Sequence, residues 1–312
     1  MRGLHSSFAV LLLCFAVPAA AETLTINGSD PASANANDIV RLAVERFEGD
    51  GGAAFAQQIE SALAAARFDG QSYFRIVAPE SGAPVDGLLT GTIRESVEET
   101  PVTEKRKRCT EYDPADAKKC LKEVNVDIRC RRRVATLATT VRLVAINDGS
   151  IRWSRPLNAR DQQTWCPDRD YTQSVDNFIA GALRGQVQTI RGELAPNNYT
   201  LDVRVDESRK GLPKPAEEVF KQAIRQTKSD QAGACASWKA MTRDAVPTAP
   251  LAFNLGLCSE MLGDLDGAVA WYGEAQRQGS KNRDIGEGLA RIERHRRALA
   301  DWQERKRLIG GD

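Results

Sequence analysis

The chain has 312 residues, with 43 Lys and Arg against 42 Asp and Glu, two histidines and seven cysteines. So even a charge balance argues against general nucleic-acid binding, and the length admits two domains. Outside the N-terminal segment His295 is the only histidine and no CxxC pair occurs; Ser-His-Asp or Cys-His catalysis then lacks a base, and a zinc site lacks its ligands.

Residues 1–21 read as a secretory signal. Arg2 supplies the charge, Phe8 to Val17 a short apolar core, and Pro18-Ala19-Ala20-Ala21 a small-residue site with cleavage expected after Ala21. That core is too short to span a bilayer, and Cys14 follows Leu13, where a lipid-anchor site needs a small residue. The expected product is exported, periplasmic and not membrane-spanning after cleavage. Six cysteines then remain, an even number in an oxidising compartment, which reads as disulfides. Fifteen pairings are open to six cysteines; position along the chain favours Cys235–Cys258, Cys109–Cys120 and Cys130–Cys166.

Residues 22–38, small and polar, read as a flexible leader. Ile39 to Phe47 is a strand candidate, and Glu48-Gly49-Asp50-Gly51-Gly52 turns into a helix whose Phe55, Ile59, Leu63 and Ala66 fall at helical spacing. Gly49 to Ala54 also fits G-x-G-x-x-A, the pattern of dinucleotide loops. The acidic partner is missing at the required distance, Glu80 lying too far on, so a plain turn is expected and no cofactor. Tyr73 to Val77 and Leu88 to Val97 are further strands. A polar arm follows over 98–133, then Val134 to Ile146 alternates and returns through Asn147-Asp148-Gly149-Ser150 to Ile151 and Trp153. Ser174 caps a helix reaching Leu194, Pro196 stops it, and Tyr199, Leu201, Val203 and Val205 alternate as a last strand. The order β-α-β-β-β-β-α-β over 39–208 predicts a mixed sheet covered by two helices.

Three stretches in this region, Phe74 to Val77, Asp86 to Ile93, and Val141 to Val144 leading through Asp148-Gly149 to Ser154, carry a family pattern. It resembles the periplasmic domain shared by the curli-secretion channel protein, the lipoprotein activator of penicillin-binding proteins, and the N-terminal domain of the Tol-Pal β-propeller protein, over about 39–207. The resemblance implies assembly or activation of envelope machinery by protein contact, without catalytic residues in this domain. Because the arm is charged, it is not a membrane-inserting hairpin.

From Lys210-Gly211-Leu212-Pro213, a linker, residues 209–312 read as all-helical, so the fold class is α+β. Val219, Phe220, Ala223 and Ile224 give a first amphipathic helix, and Ala234, Trp238 and Met241 recur thirty-four residues later as Ala268, Tyr272 and Ala275. Leu255 and Gly256 precede Leu289 and Ala290 by the same step. This resembles the tetratricopeptide repeat over 216–295, with Gln222 standing where a small residue is usual and a capping helix from Ile285 to about Leu308. The resemblance implies peptide binding on a concave face near Trp238, Asn254 and Ser259.

The arm holds eleven Lys/Arg and five Asp/Glu between 105 and 133, a net +6. If 105–108 paired with 129–133, then Lys105, Arg106, Arg108, Arg131, Arg132 and Arg133 would form one basic patch; the plain alternative is a solvated sheet edge. The expectation is a non-enzymatic adaptor contacting protein partners in cell-envelope assembly, secretion or cell-wall regulation. The alternative is a structural envelope component whose basic arm binds anionic cell-wall polymer or lipid headgroups. A hydrolase using Asp113 and Asp116 is the remaining reading, weakened by their polar loop. No metal is expected.

Overall fold

The computed structural model describes residues 22–34, 36–168, 174–243 and 246–309; the signal segment lies outside them. In chain order the strands are β1 (Thr23–Asp30), β2 (Arg41–Val44), β3 (Arg67–Phe68), β4 (Gln71–Ser72), β5 (Arg75–Ile76), β6 (Gly87–Asp113), β7 (Asp116–Ala145), β8 (Ile151–Trp165) and β9 (Asn197–Arg204). The helices are α1 (Gly52–Ala64), α2 (Val175–Leu194), α3 (Lys214–Gln226), α4 (Gln231–Met241), α5 (Ala249–Met261), α6 (Leu265–Arg277) and α7 (Asp284–Ile309). The architecture is mixed α/β.

Two compact units result. Among the described residues, the α/β unit takes 28–199 and 293–309; the helical unit takes 22–27 and 200–292. The α/β unit holds a five-stranded mixed sheet in the order β5-β2-β6-β7-β8. Strand β2 is parallel to both β5 and β6, while β6, β7 and β8 form antiparallel pairs. Parallel neighbours require a crossover, which α1 supplies between β2 and β5. Alternation along β6 and β7 puts Leu89, Ile93, Leu137, Val141 and Leu143 into one core with Phe55, Ile59 and Leu63 of α1 and Ile179, Val187 and Ile190 of α2. The Ser174 hydroxyl accepts the Asn177 N–H (3.1 Å) and starts α2. Asp86 ties the first turn of the sheet together, accepting from the Arg41 guanidinium and from the Val40 and Arg41 N–H groups. Burial pushes its carboxyl up, but these donors outweigh burial and hold it below the usual aspartate value.

Within the helical unit, Leu24, Ile26, Val203 and Val205 share a core with Phe220, Trp238, Leu251, Phe253 and Tyr272. Tyr272 is wholly buried, and a Cβ on Gly256 or Gly288 would overlap its ring. Its hydroxyl donates to Glu260, which also takes a bidentate pair from Arg291 at 2.8 Å. Burial, with the Glu260 carboxylate beside it, pushes the Tyr272 phenol far up.

Three sequence expectations are corrected. The leader 22–38 contains strand β1, because Leu24 and Ile26 alternate with Thr23 and Thr25 and need an apolar face. The last strand, β9, pairs with β1 in a separate two-stranded sheet instead of joining the five-stranded one. The boundary at 208/209 gives way to breaks at 27/28, 199/200 and 292/293. The C-terminal helix is therefore not simply a cap on the repeats. Beyond Ile292 its Ala298 and Trp302 enter the α/β core, Trp302 beside Tyr73 and Phe68. Arg305, wholly buried, donates to the carbonyls of Tyr73, Asn37 and Ile39 and lies over the Tyr73 ring, 4.1 Å from its centre. A stripe of large side chains continuing past Ile292 demands burial wherever apolar surface is available.

Candidate functional site

Strands β6 and β7 outrun the sheet. The β7–β8 ladder ends at Arg131↔Trp165, yet β6 and β7 stay paired to Asp113↔Asp116. Residues 102–113 and 116–130 thus form a two-stranded ribbon about 40 Å long at roughly 3.3 Å per residue. A two-stranded ribbon is marginal alone, and here it is stapled twice: Cys109 is joined to Cys120 near the tip, and Cys130 to Cys166 at the base. A third bridge, Cys235–Cys258, joins α4 to α5. These bridges bring together the cysteines that position along the chain favoured. Register shifts between Cys109 and Asp113 bend the tip, where Tyr112 and Leu121 are each about half exposed.

The single basic patch does not form. Lys105, Arg106 and Arg108 lie opposite Asp127, Val126 and Val124, while Arg131, Arg132 and Arg133 lie opposite Pro101, Thr100 and Glu99. Hydrogen-bond register, set by the hairpin turn, offsets the two basic runs along the ribbon: Arg129 lies opposite Thr103, so no residue of 129–133 faces one of 105–108. The same register brings Glu98, Glu99 and Glu104 into the arm, so 98–133 carries eleven basic and eight acidic residues, a net +3. Arg106 pairs with Glu104 and Asp168 (both 2.7 Å), Lys107 with Glu123, Lys119 with Asp113 and Arg131 with Glu99. Arg133 is buried. Lys105, Arg108 and Arg132 are exposed and make no ion pair among the described residues. Asp113, read as a carboxylate for hydrolysis, accepts the Ala115 N–H and then the Lys119 ammonium, which hold its carboxyl below the usual value.

The arm base contains a cluster that sequence reasoning missed. Arg106 Nη2 donates to Cys166 Sγ at 2.8 Å while Nη1 and Nε bind Asp168 and Glu104. Glu104 with Cys130 and Cys166 has the composition of a metal-ligand trio, but the two sulfurs are bonded to each other and the Arg106 cation lies on one of them. The only sequence signal was the basic run itself.

Of the three residues expected on a concave binding face, Trp238 and Asn254 are structural. Trp238 is wholly buried, its ring 6.0 Å from that of Phe220. Asn254 is wholly buried as well, its amide accepting the Asp206 N–H (2.8 Å) and donating to the Asp206 carbonyl (3.0 Å). Neither is available to a partner; the alternation of Val203 and Val205 brings the chain's own strand against these helices. Ser259 is half-buried, and its carbonyl closes the turn to Asp264. Ala234, Leu255, Gly256, Ala268, Tyr272 and Ala275 are all buried. In the Gly49 loop, Gly49 has φ 103° and packs on the Ile93 carbonyl, a backbone requirement that leaves the glycine explained as a turn. His295 Nδ1 accepts the Ser29 N–H at 3.0 Å.

Among the described residues no helix is long and apolar enough to cross a membrane. No family model matches the chain, and no curated protein matches it. Among solved structures, the PelC dodecamer from Paraburkholderia phytofirmans is 15% identical at a TM-score of 0.25, covering 55% of this chain and 99% of that one. A variant PelC dodecamer from the same organism gives 13% and 0.25 over the same shares. A candidate lipoprotein of Caulobacter crescentus CB15 is 13% identical at a TM-score of 0.22, covering 49% of this chain and 86% of that one. Likenesses at these scores carry no weight for this chain's function.

Proposed function

We propose that this chain is a non-enzymatic accessory protein of the cell envelope, acting by protein contact, and that the arm makes the contact. The supporting observation is the ribbon: two of three disulfides hold a projecting element that adds nothing to either core. Export to a periplasm, with the signal removed after Ala21, belongs to the same reading; the paired cysteines favour an oxidising compartment. The α/β unit is taken as a relative of the curli-channel and Tol-Pal type of domain. The helical unit is taken as a short tetratricopeptide-like array, supported by the buried small and aromatic positions at a thirty-four-residue step.

A second reading, contact with anionic cell-wall polymer or lipid headgroups, is favoured by the exposed Lys105, Arg108 and Arg132. Two variants separate them: K105Q/R108Q/R132Q, and a chain whose residues 102–128 are replaced by Asn-Gly. The adaptor reading expects crosslinking to its envelope partner to survive the charge variant and vanish with the shortened arm. Loss in both variants supports the polymer or lipid reading. Unchanged crosslinking in both overturns the assignment to the arm.

A further inference from the structure

We propose that the Cys130–Cys166 bridge is a redox-responsive clamp on the base of the arm, with Arg106 as the positioning residue that sets how readily it opens. This supplies a regulation for the arm and rests on the contact reading only for its biological consequence; the chemistry stands by itself.

The three bridges differ in what surrounds their sulfurs. At the tip, Cys109 and Cys120 Sγ lie against the carbonyls of Glu111 and Lys122. Cys130 Sγ lies 3.6 Å from the Ile128 carbonyl. Among the described residues, Cys166 Sγ is the one bridge sulfur with a cation on it, Arg106 Nη2 at 2.8 Å, and that cation is oriented by Glu104 and Asp168. A guanidinium stabilises a thiolate and lowers its proton affinity, and a thiol of low proton affinity is the better leaving group in disulfide exchange. The asymmetry therefore assigns Cys130 as the attacked sulfur and Cys166 as the leaving one.

The reductant is a dithiol. Its thiolate attacks Cys130 Sγ, the Cys130–Cys166 bond breaks, and the electron pair leaves on Cys166 Sγ beside Arg106. The second thiol of the reductant, as thiolate, then attacks its own sulfur in the mixed disulfide and releases Cys130, which takes up that thiol's proton. The dithiol ends as a disulfide, the protein as two reduced cysteines. Both cysteines are buried, so exchange requires the end of β8 to lift. Once open, the ribbon beyond Arg131↔Trp165 keeps its own ladder, the tip bridge and the Arg106–Asp168 ion pair, without a covalent tie to β8.

The test equilibrates the full chain in dithiol/disulfide buffers of stepped potential, then quenches, alkylates and maps each bridge by mass spectrometry. R106Q is expected to make Cys130–Cys166 at least tenfold harder to reduce, about 30 mV for a two-electron couple. Cys109–Cys120 and Cys235–Cys258 should stay put, and R106K should keep most of the wild-type value. Hydrogen exchange over 102–130 should quicken at least tenfold when that bridge alone is open. A shift below threefold in R106Q overturns the proposal, as does a shift shared equally by all three bridges, or a wild-type bridge that opens only with global unfolding. Loss of the contact reading would show instead in the crosslinking of the shortened arm, leaving these equilibria unmoved.

Discussion

The helical unit and the arm use their polar residues in opposite ways. In the helical unit Asn254, Glu260, Arg291 and Tyr272 are buried and satisfied by one another or by backbone. Over 102–130 eight cations and six acids line a ribbon with no core beneath it, and disulfides replace apolar burial as the source of rigidity. Side chains that look suited to recognition, Asn254 and Trp238 on helices of this unit, are committed to holding the fold.

Substitutions can break that contrast, the largest effects falling in the cores. Trp238→Ala should cost about 3–5 kcal/mol in urea denaturation of the full chain by leaving a cavity. Arg305→Ala should cost about 3 kcal/mol, since three backbone carbonyls lose their donor in a dry site; a loss below 1 kcal/mol would mean water reaches them. Asn254→Ala should cost about 1–3 kcal/mol with crosslinking to an envelope partner unchanged. A lost partner with unchanged stability would restore the concave face as a binding site.

The pH dependence sharpens the same point. Asp86 is held below its usual value in the folded state, so its contribution is complete above the unfolded value near 3.9 and is lost as pH falls through the lower folded one. Asp86→Asn should lower stability at neutral pH and flatten the acid limb of the stability curve. The smallest effect belongs to the arm: K105Q/R108Q/R132Q should shift stability by no more than about 0.5 kcal/mol. A larger loss would give those cations a structural role.

Much of the fold was legible locally. The helices at 52–64, 175–194 and 214–277 follow apolar spacing and caps, and the Asn147–Ser150 turn with Gly149 at φ 68° follows its own chemistry. The arm was visible as a polar, cysteine-bearing stretch, and its cysteines as staples. The candidate site within it was not. Arg106 meets Glu104 within its own strand, but Asp168 and Cys166 lie about sixty residues away and reach it only through the β6–β7–β8 ladder.

What the sequence determined by itself was every property with a short period: strand alternation, helical stripes, turn glycines and the thirty-four-residue step from Trp238 to Tyr272. Tertiary structure alone decided which charges face each other across the arm, that Asn254 closes on Asp206, and that Trp302 and Arg305 complete the α/β core. Periodicity states which face of an element must be buried. It does not state against what, because the apolar surface that satisfies it is supplied by residues far away in the chain.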